Sequence, residues 1–258
     1  MLKLNSEKNI QGTNLLIVFP GEGNSTEFAL SLLLLNYKFE KIGFLYSDYI
    51  KHSVSYLEDG NLEFNGDLYL NEEKKITILN LTSGAPKKFV HKFNKEMIEF
   101  IKNNKFNDIY ILTSSSRDNI TDVDIQSKLI NVYYESNNEN FKGNGLKKIK
   151  EAFNISDEKR KGKKYYELSL VDGSSSSLQL TQKLILEKIN FVFIFNFSNS
   201  ILDPLSGLAL FKKILFLFNL SDKDENVEKL EINALEALNK IEKENIKVSP
   251  GWKILLIE

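Results

Sequence analysis

The sequence predicts an α/β protein, and three features predict it. Residues 14–50 read as an apolar strand, a glycine turn, a helix and a second apolar strand, one strand–helix–strand unit at the front of the chain. Phe191–Phe197 is a continuous apolar run bounded by polar residues, the pattern of a strand covered on both faces. Elsewhere apolar residues recur at helical spacing, as at Phe89, Phe93, Met97, Phe100 and Ile101. With 258 residues, the chain can bury roughly 70–75% of its unfolded surface, so one sizeable core is expected. No internal repeat and no linker marks a boundary, and residues 1–258 are read as a single domain.

Taken in order, the first strand is Leu15–Phe19. Pro20-Gly21-Glu22-Gly23-Asn24 then turns the chain, Ser25 stands where a helix N-cap belongs, and Ile42–Tyr46 is the next strand. Residues 57–81 read as a hairpin region. Leu62-Glu63-Phe64 and Leu68-Tyr69-Leu70 alternate, Asn71–Lys75 is a polar turn, and Ile76–Leu81 returns. Pro86 fits the first turn of the next helix, where its missing N–H costs little, and that helix stops near Asn103-Asn104. Ile109–Leu112 is a strand ending in Thr113-Ser114-Ser115-Ser116. Residues 117–127 are polar loop, Leu129–Tyr134 a strand and Leu146–Phe153 a short helix; residues 117–165 as a whole are the expected place of a mobile insertion. Tyr166–Val171 is a further strand, and Asp172-Gly173 with Ser174–Ser177 turns into a helix over Leu178–Ile189. Two helices follow, near 203–219 and 226–245, the second with its stripe at Leu230, Ala234, Leu235, Leu238 and Ile241. Pro250-Gly251-Trp252-Lys253 and apolar Ile254–Ile257 close the chain before Glu258.

Composition narrows the chemistry. Net charge is −1 with acids and bases interleaved, so no basic stripe points to nucleic acid. Arg117 and Arg160 are the only arginines, and sites that grip phosphate bidentately favour arginine. The absence of cysteine excludes disulfides, thiolate catalysis and cysteine-ligated zinc. The N-terminal segment has no apolar core of a signal peptide, and Leu205–Leu220, the most apolar run, is broken by Lys212 and Lys213 and is short of a membrane span. The expected class is a soluble, intracellular, globular protein with no cofactor, no nucleic-acid partner and no membrane partner.

Candidate catalytic groups are few. Gly21-x-Gly23 follows a strand, but Thr26 stands where a dinucleotide fingerprint needs its third glycine, and no P-loop lysine follows. Gly173 with the serines before a helix is a better anion nest, and it carries the rival reading of a nucleoside-phosphorylase-like or phosphate-binding α/β enzyme. That enzyme would need phosphate-gripping arginines and a base-recognising acid, which the sequence does not assemble. A serine nucleophile needs a base, and only His52 and His91 exist, the first in a polar segment and the second beside the stripe of a helix. Asp122 and Asp124 lie in a polar loop, where solvation is expected.

Several segments together resemble the proteasome assembly chaperone 2 family. They are Gly23-Asn24 with the helix holding Ala29 and Leu30–Leu35; Lys41-Ile42-Gly43-Phe44-Leu45-Tyr46-Ser47-Asp48; the strand end Ile111-Leu112-Thr113-Ser114-Ser115-Ser116; the helix start at Gly173; Asn196-Phe197-Ser198-Asn199-Ser200 with Asp203-Pro204 and the helix containing Gly207; and Ser249-Pro250-Gly251-Trp252-Lys253. Order and spacing match over most of the chain, while 117–165 matches poorly. The resemblance implies a three-layer α/β/α sandwich around a mixed β-sheet and a role without catalysis. It implies a heterodimer with a proteasome assembly chaperone 1-like partner, binding of proteasome α subunits during assembly of the 20S α-ring, and a cytoplasmic place extending to the nucleus. Family tails end hydrophobic–Tyr–any residue; here the end is Leu256-Ile257-Glu258, with Ile257 where tyrosine would sit. Leu256, Ile257, Glu258 and Trp252 are the partner-binding candidates, and the helix over 203–219 or its neighbour is expected to contribute to the dimer face.

Overall fold

The structure, a computed structural model, describes residues 3–6, 8–56, 62–116, 130–135, 146–153, 175–198 and 203–220. Its centre is a run of parallel strands: β2 (Asn14–Val18) lies between β7 (Ile76–Asn80) and β8 (Ile109–Ser116), and β10 (Phe191–Ser198) pairs with β8. Antiparallel strands extend both sides. Beyond β7 come β6 (Asp67–Asn71), β3 (Glu40–Tyr46) and β1 (Lys3–Ser6); beyond β10 comes β9 (Ile130–Glu135). The eight-stranded order is β1-β3-β6-β7-β2-β8-β10-β9, and β4 (Val54–Tyr56) pairs with β5 (Leu62–Phe64) in a separate two-stranded sheet.

Helices cover both faces, so the fold is a three-layer α/β/α sandwich around a mixed sheet. On one face α1 (Ser25–Asn36), α3 (Leu146–Phe153) and α5 (Pro204–Leu217) pack on Leu16, Val18, Ile78, Leu112, Val192 and Ile194. On the other, α2 (Val90–Asn104) and α4 (Ser175–Leu186) pack on Leu15, Ile17, Leu79, Ile111, Phe193 and Phe195. The side-chain alternation of a strand sends neighbouring residues to opposite faces, and both faces of β8 and β10 are buried. This is why Ile109–Leu112 and Phe191–Phe195 are apolar without alternation. The small Gly207 lets α5 lie close on α1, since a Cβ there would stand 2.9 Å from the Ser25 carbonyl oxygen.

The structure corrects several expectations. Asn24, not Ser25, precedes α1; it sits in the left-handed region (φ 49°), and Ser25 is already helical. Thr113–Ser116 does not leave the sheet, because each residue pairs with β10 and all four are buried. Leu62-Glu63-Phe64 does not join the hairpin of β6 and β7 but crosses to β4. Pro86 stands one turn ahead of α2, where its carbonyl accepts from the amides of Phe89 and Val90. α4 begins at Ser175, so its serines form its first turn instead of preceding it. The second strand of the opening unit, β3, is not a neighbour of β2: α1 carries the chain past β7 and β6. Within 117–165, β9 forms the sheet's edge and α3 seats Ile149 and Ala152 against the rest of the fold. The expected strand 166–171, the helix 226–245 and the terminal segment lie outside the described residues.

Candidate functional site

In open α/β sheets ligands bind beyond the carboxyl ends of the parallel strands, at the crest where connections diverge. Here that place lies above β2, β8 and β10, and the chain itself fills it. After β2 the segment Pro20–Asn24 folds over the crest, with Glu22–Asn24 as a single 3-10 turn and Gly23 at φ 71°. Gly21 presses on the backbone of β8. A Cβ at this position would stand 2.1 Å from Ser114 Oγ, 2.5 Å from Ser114 N and 2.6 Å from Ser114 O.

The hydroxyls that would otherwise face a ligand serve this turn. Ser114 Oγ donates to the Glu22 carbonyl at 2.7 Å, and Ser198 Oγ donates to the same oxygen at 2.6 Å. Asn196 Nδ2 donates to Ser25 Oγ at 2.9 Å, binding β10 to the start of α1. The Asp203 amide donates to the Gly23 carbonyl at 3.1 Å, and Asp203 Oδ1 caps α5 by accepting from the Ser206 amide at 3.0 Å. One turn thus joins β8, β10, α1 and α5.

The amino end of α1 is occupied as well. Glu27 is its third residue, the place from which a carboxylate reaches back to free amides. It accepts from Thr26 Oγ at 2.8 Å and from the Gly21 amide. Burial pushes its pKa up, and the bonds from Thr26, its own amide and Gly21 pull it back down. An incoming anion would meet a carboxylate and a carbonyl oxygen here, which repel it. The arrangement is a closed structural joint.

Of the residues singled out in the sequence, the two histidines are described, and both are exposed. His52 is exposed and stacks on Tyr46 with ring centroids 4.4 Å apart; His91 is exposed in the first turn of α2. At the start of α4, Asn94 Nδ2 donates to the Ser176 carbonyl at 3.1 Å. Gly173, Asp122, Asp124, Arg117, Arg160, Trp252, Leu256, Ile257 and Glu258 lie outside the described residues. Among the described residues no group of three His, Asp or Glu could hold a metal ion, and no helix is long and apolar enough to cross a membrane.

α5 shows a different kind of surface. Its inner residues Leu208, Leu210, Phe211, Ile214 and Leu215 are buried, while Leu205 and Phe216 remain 55% and 43% exposed. Eleven residues at 3.6 per turn bring these two onto one outward line, with Ala209 and Lys212 between them. The sequence missed the roles of Ser114, Asn196 and Ser198. Their signal was polar residues at the end of apolar strands, which reads equally well as a strand terminus.

The PAC2 family matches residues 15–243. No curated protein matches the chain. Among solved structures, Pyrococcus furiosus PbaA, an archaeal homolog of proteasome-assembly chaperone, superposes with a TM-score of 0.63 at 15% identity, covering 94% of this chain and 97% of its own. Pyrococcus furiosus PbaB, an archaeal proteasome activator, gives 0.61 at 16% identity, covering 94% and 98%. A Mycobacterium tuberculosis protein of unknown function, Rv2714, gives 0.57 at 13% identity, covering 99% and 88%. At these identities the likeness is one of fold.

Proposed function

Because the chain belongs to the PAC2 family, we propose that it works in proteasome assembly as a binding subunit without catalysis. The observation that carries the reading is the sealed crest: the Ser114 and Ser198 hydroxyls at the ends of β8 and β10 are both spent on the Glu22 carbonyl. A protein whose ligand position is closed by its own backbone has its outer surface left for work. The chain acts as one unit that pairs with a proteasome assembly chaperone 1-like sister subunit and holds 20S α subunits while the α-ring forms, in the cytoplasm and the nucleus. The exposed line of α5 contributes to the sister face. Trp252 and the tail Leu256-Ile257-Glu258 add a weak contact to the α subunits, and linkage to the first contact raises its effective concentration. The phosphate-binding enzyme draws no support from the crest, where Glu27 and Glu22 oppose an anion.

The test is affinity purification of the full chain from cells of its source, followed by reconstitution with separately produced α subunits. Recovery of α subunits with a sister chain, and faster α-ring formation in the reconstituted mixture, is the expected result. A chain that recovers neither and leaves ring formation unchanged overturns the proposal.

A further inference from the structure

A second buried polar cluster lies one strand over from the crest, where β6 meets β7. Asp67 is fully buried. Its Oδ2 accepts from Lys41 Nζ at 2.7 Å and from the Phe64 amide at 3.1 Å. Its Oδ1 takes no hydrogen bond of ordinary geometry, although the Tyr69 hydroxyl stands close enough to interact with the carboxylate. Directly across in register stands Asn80, also buried, and its Oδ1 takes no hydrogen bond either. Cross-strand neighbours have Cβ atoms roughly 4.5–5.5 Å apart on the same face, so the two side chains project together. Tyr69, two residues along β6, shares that face. The flanking strands supply no donor in register: Val18 lies beside Asn80 and Phe44 beside Asp67.

Buried oxygens of this kind cost free energy until something positive or protic meets them. The charges close by do not cancel. Asp67 and Glu63 carry two negative charges against the single ammonium of Lys41, and both carboxylates act on Tyr69, whose phenol burial pushes far up. Carboxylate, amide and phenol oxygens are hard ligands, suited to alkali and alkaline-earth ions and not to softer metals. A single excess negative charge selects one positive charge.

We propose that Asp67 Oδ1, Asn80 Oδ1 and the Tyr69 hydroxyl hold a small monovalent cation, sodium or potassium, that fastens the β6–β7 hairpin where β5 folds over it. Lys41, which also donates to the Leu62 carbonyl, closes the other side of the Asp67 carboxylate. The cation is structural and independent of the role in assembly.

The full chain is melted in choline chloride, sodium chloride and potassium chloride at equal ionic strength. One alkali ion is expected to raise the melting temperature saturably, by roughly 5–10 °C once it exceeds its dissociation constant about a hundredfold. Asn80→Leu, which removes one ligand at similar volume, abolishes the ion-specific rise, and so does Asp67→Asn. Should Asp67→Asn not fold, Asn80→Leu decides alone. Equal melting temperatures in the three salts, or a full ion response in Asn80→Leu, overturn the proposal and leave the two oxygens to water.

Discussion

Gly21→Ala tests the sealed crest most directly. Gly21 has φ −146° and ψ 174°, extended backbone that alanine adopts freely, so the substitution carries no torsional penalty. Its whole effect is steric. The new methyl carbon would lie 2.1 Å from Ser114 Oγ and 2.5–2.6 Å from the backbone N and O of Ser114. A hydroxyl can rotate away, but β8 is held between β2 and β10 and cannot. The turn must therefore lift. Overpacking of this kind costs about 1–3 kcal/mol. Lifting also breaks the two bonds to the Glu22 carbonyl, at about 1 kcal/mol each. The sum is about 3–5 kcal/mol, and at roughly 2–4 °C per kcal/mol for a chain of this size the melting temperature should fall by about 6–20 °C. Scanning calorimetry of Gly21→Ala, Ser114→Ala and the double variant measures it. Because the clash is with backbone, Ser114→Ala must not rescue Gly21→Ala. A loss under about 2 °C, or full rescue in the double variant, would refute the reasoning.

Three further expectations follow from the same geometry. Asn65 ties three loops: its amide donates to the Lys51 carbonyl and to Ser83, and its oxygen accepts from the Thr82 and Ser83 amides; Asn65→Ala should cost about 2–4 kcal/mol in denaturant titration, and a change under about 0.5 kcal/mol would sink that role. Glu27 has its folded pKa raised above 4.5 by burial, so ionising it costs more in the folded chain than in the unfolded one, and wild-type stability declines as pH rises from the unfolded value through the folded one. Glu27→Gln escapes that decline, and its melting temperature relative to wild type should be more favourable at pH 7 than at pH 4; an unchanged or reversed difference counts against the burial argument. Leu205→Asp and Phe216→Asp alter exposed positions, so the melting temperature should stay within about 2 °C while capture of the sister subunit drops at least about tenfold; unchanged capture removes α5 from the interface.

The layers were legible because periodicity reports burial. Phe93, Met97 and Ile101 at helical spacing bury one face of α2, and the apolar run Phe191–Phe195 belongs to a strand, β10, that is covered twice. Leu146–Phe153 emerged with the bounds its pattern gave. What stayed illegible were residues whose role depends on partners far along the chain. Thr113–Ser116 reads as the polar end of a strand, yet Ser114 is buried to meet a carbonyl that arrives ninety-two positions away in sequence. Asn196 joins Ser25 across a separation of 171. The place of β3 in the sheet was hidden for the same reason: a strand–helix–strand pattern does not encode how many strands the helix passes over. The left-handed Asn24 was concealed by Ser25, a better cap by type, because the cap position here was set by how the preceding turn meets β8 and β10.

The exposed line of α5 also sets a bound on how the chain can bind. Leu205 and Phe216 are about 16 Å apart along the helix at 1.5 Å per residue. Fully burying two such side chains contributes about 3–6 kcal/mol, and both are already partly covered by their own helix, so less remains to be gained. Association of two proteins costs on the order of 4–15 kcal/mol in lost freedom before any surplus appears. α5 alone therefore cannot hold a partner. A stable complex needs a second contact of comparable size; of the other large exposed apolar residues of the described surface, Leu35 and Leu186 sit apart at the ends of α1 and α4, Tyr46 ends β3, and Val54 and Leu62 are diagonal neighbours on one face of the β4–β5 sheet. The second contact can come from the β4–β5 sheet, from polar groups or from residues beyond Leu220, where the sequence carries the stripe Leu230–Ile241 and the segment around Trp252. Under the proposed function, two contacts that are each too weak alone make binding depend on both, the behaviour expected of a subunit that holds a complex during assembly and then leaves it.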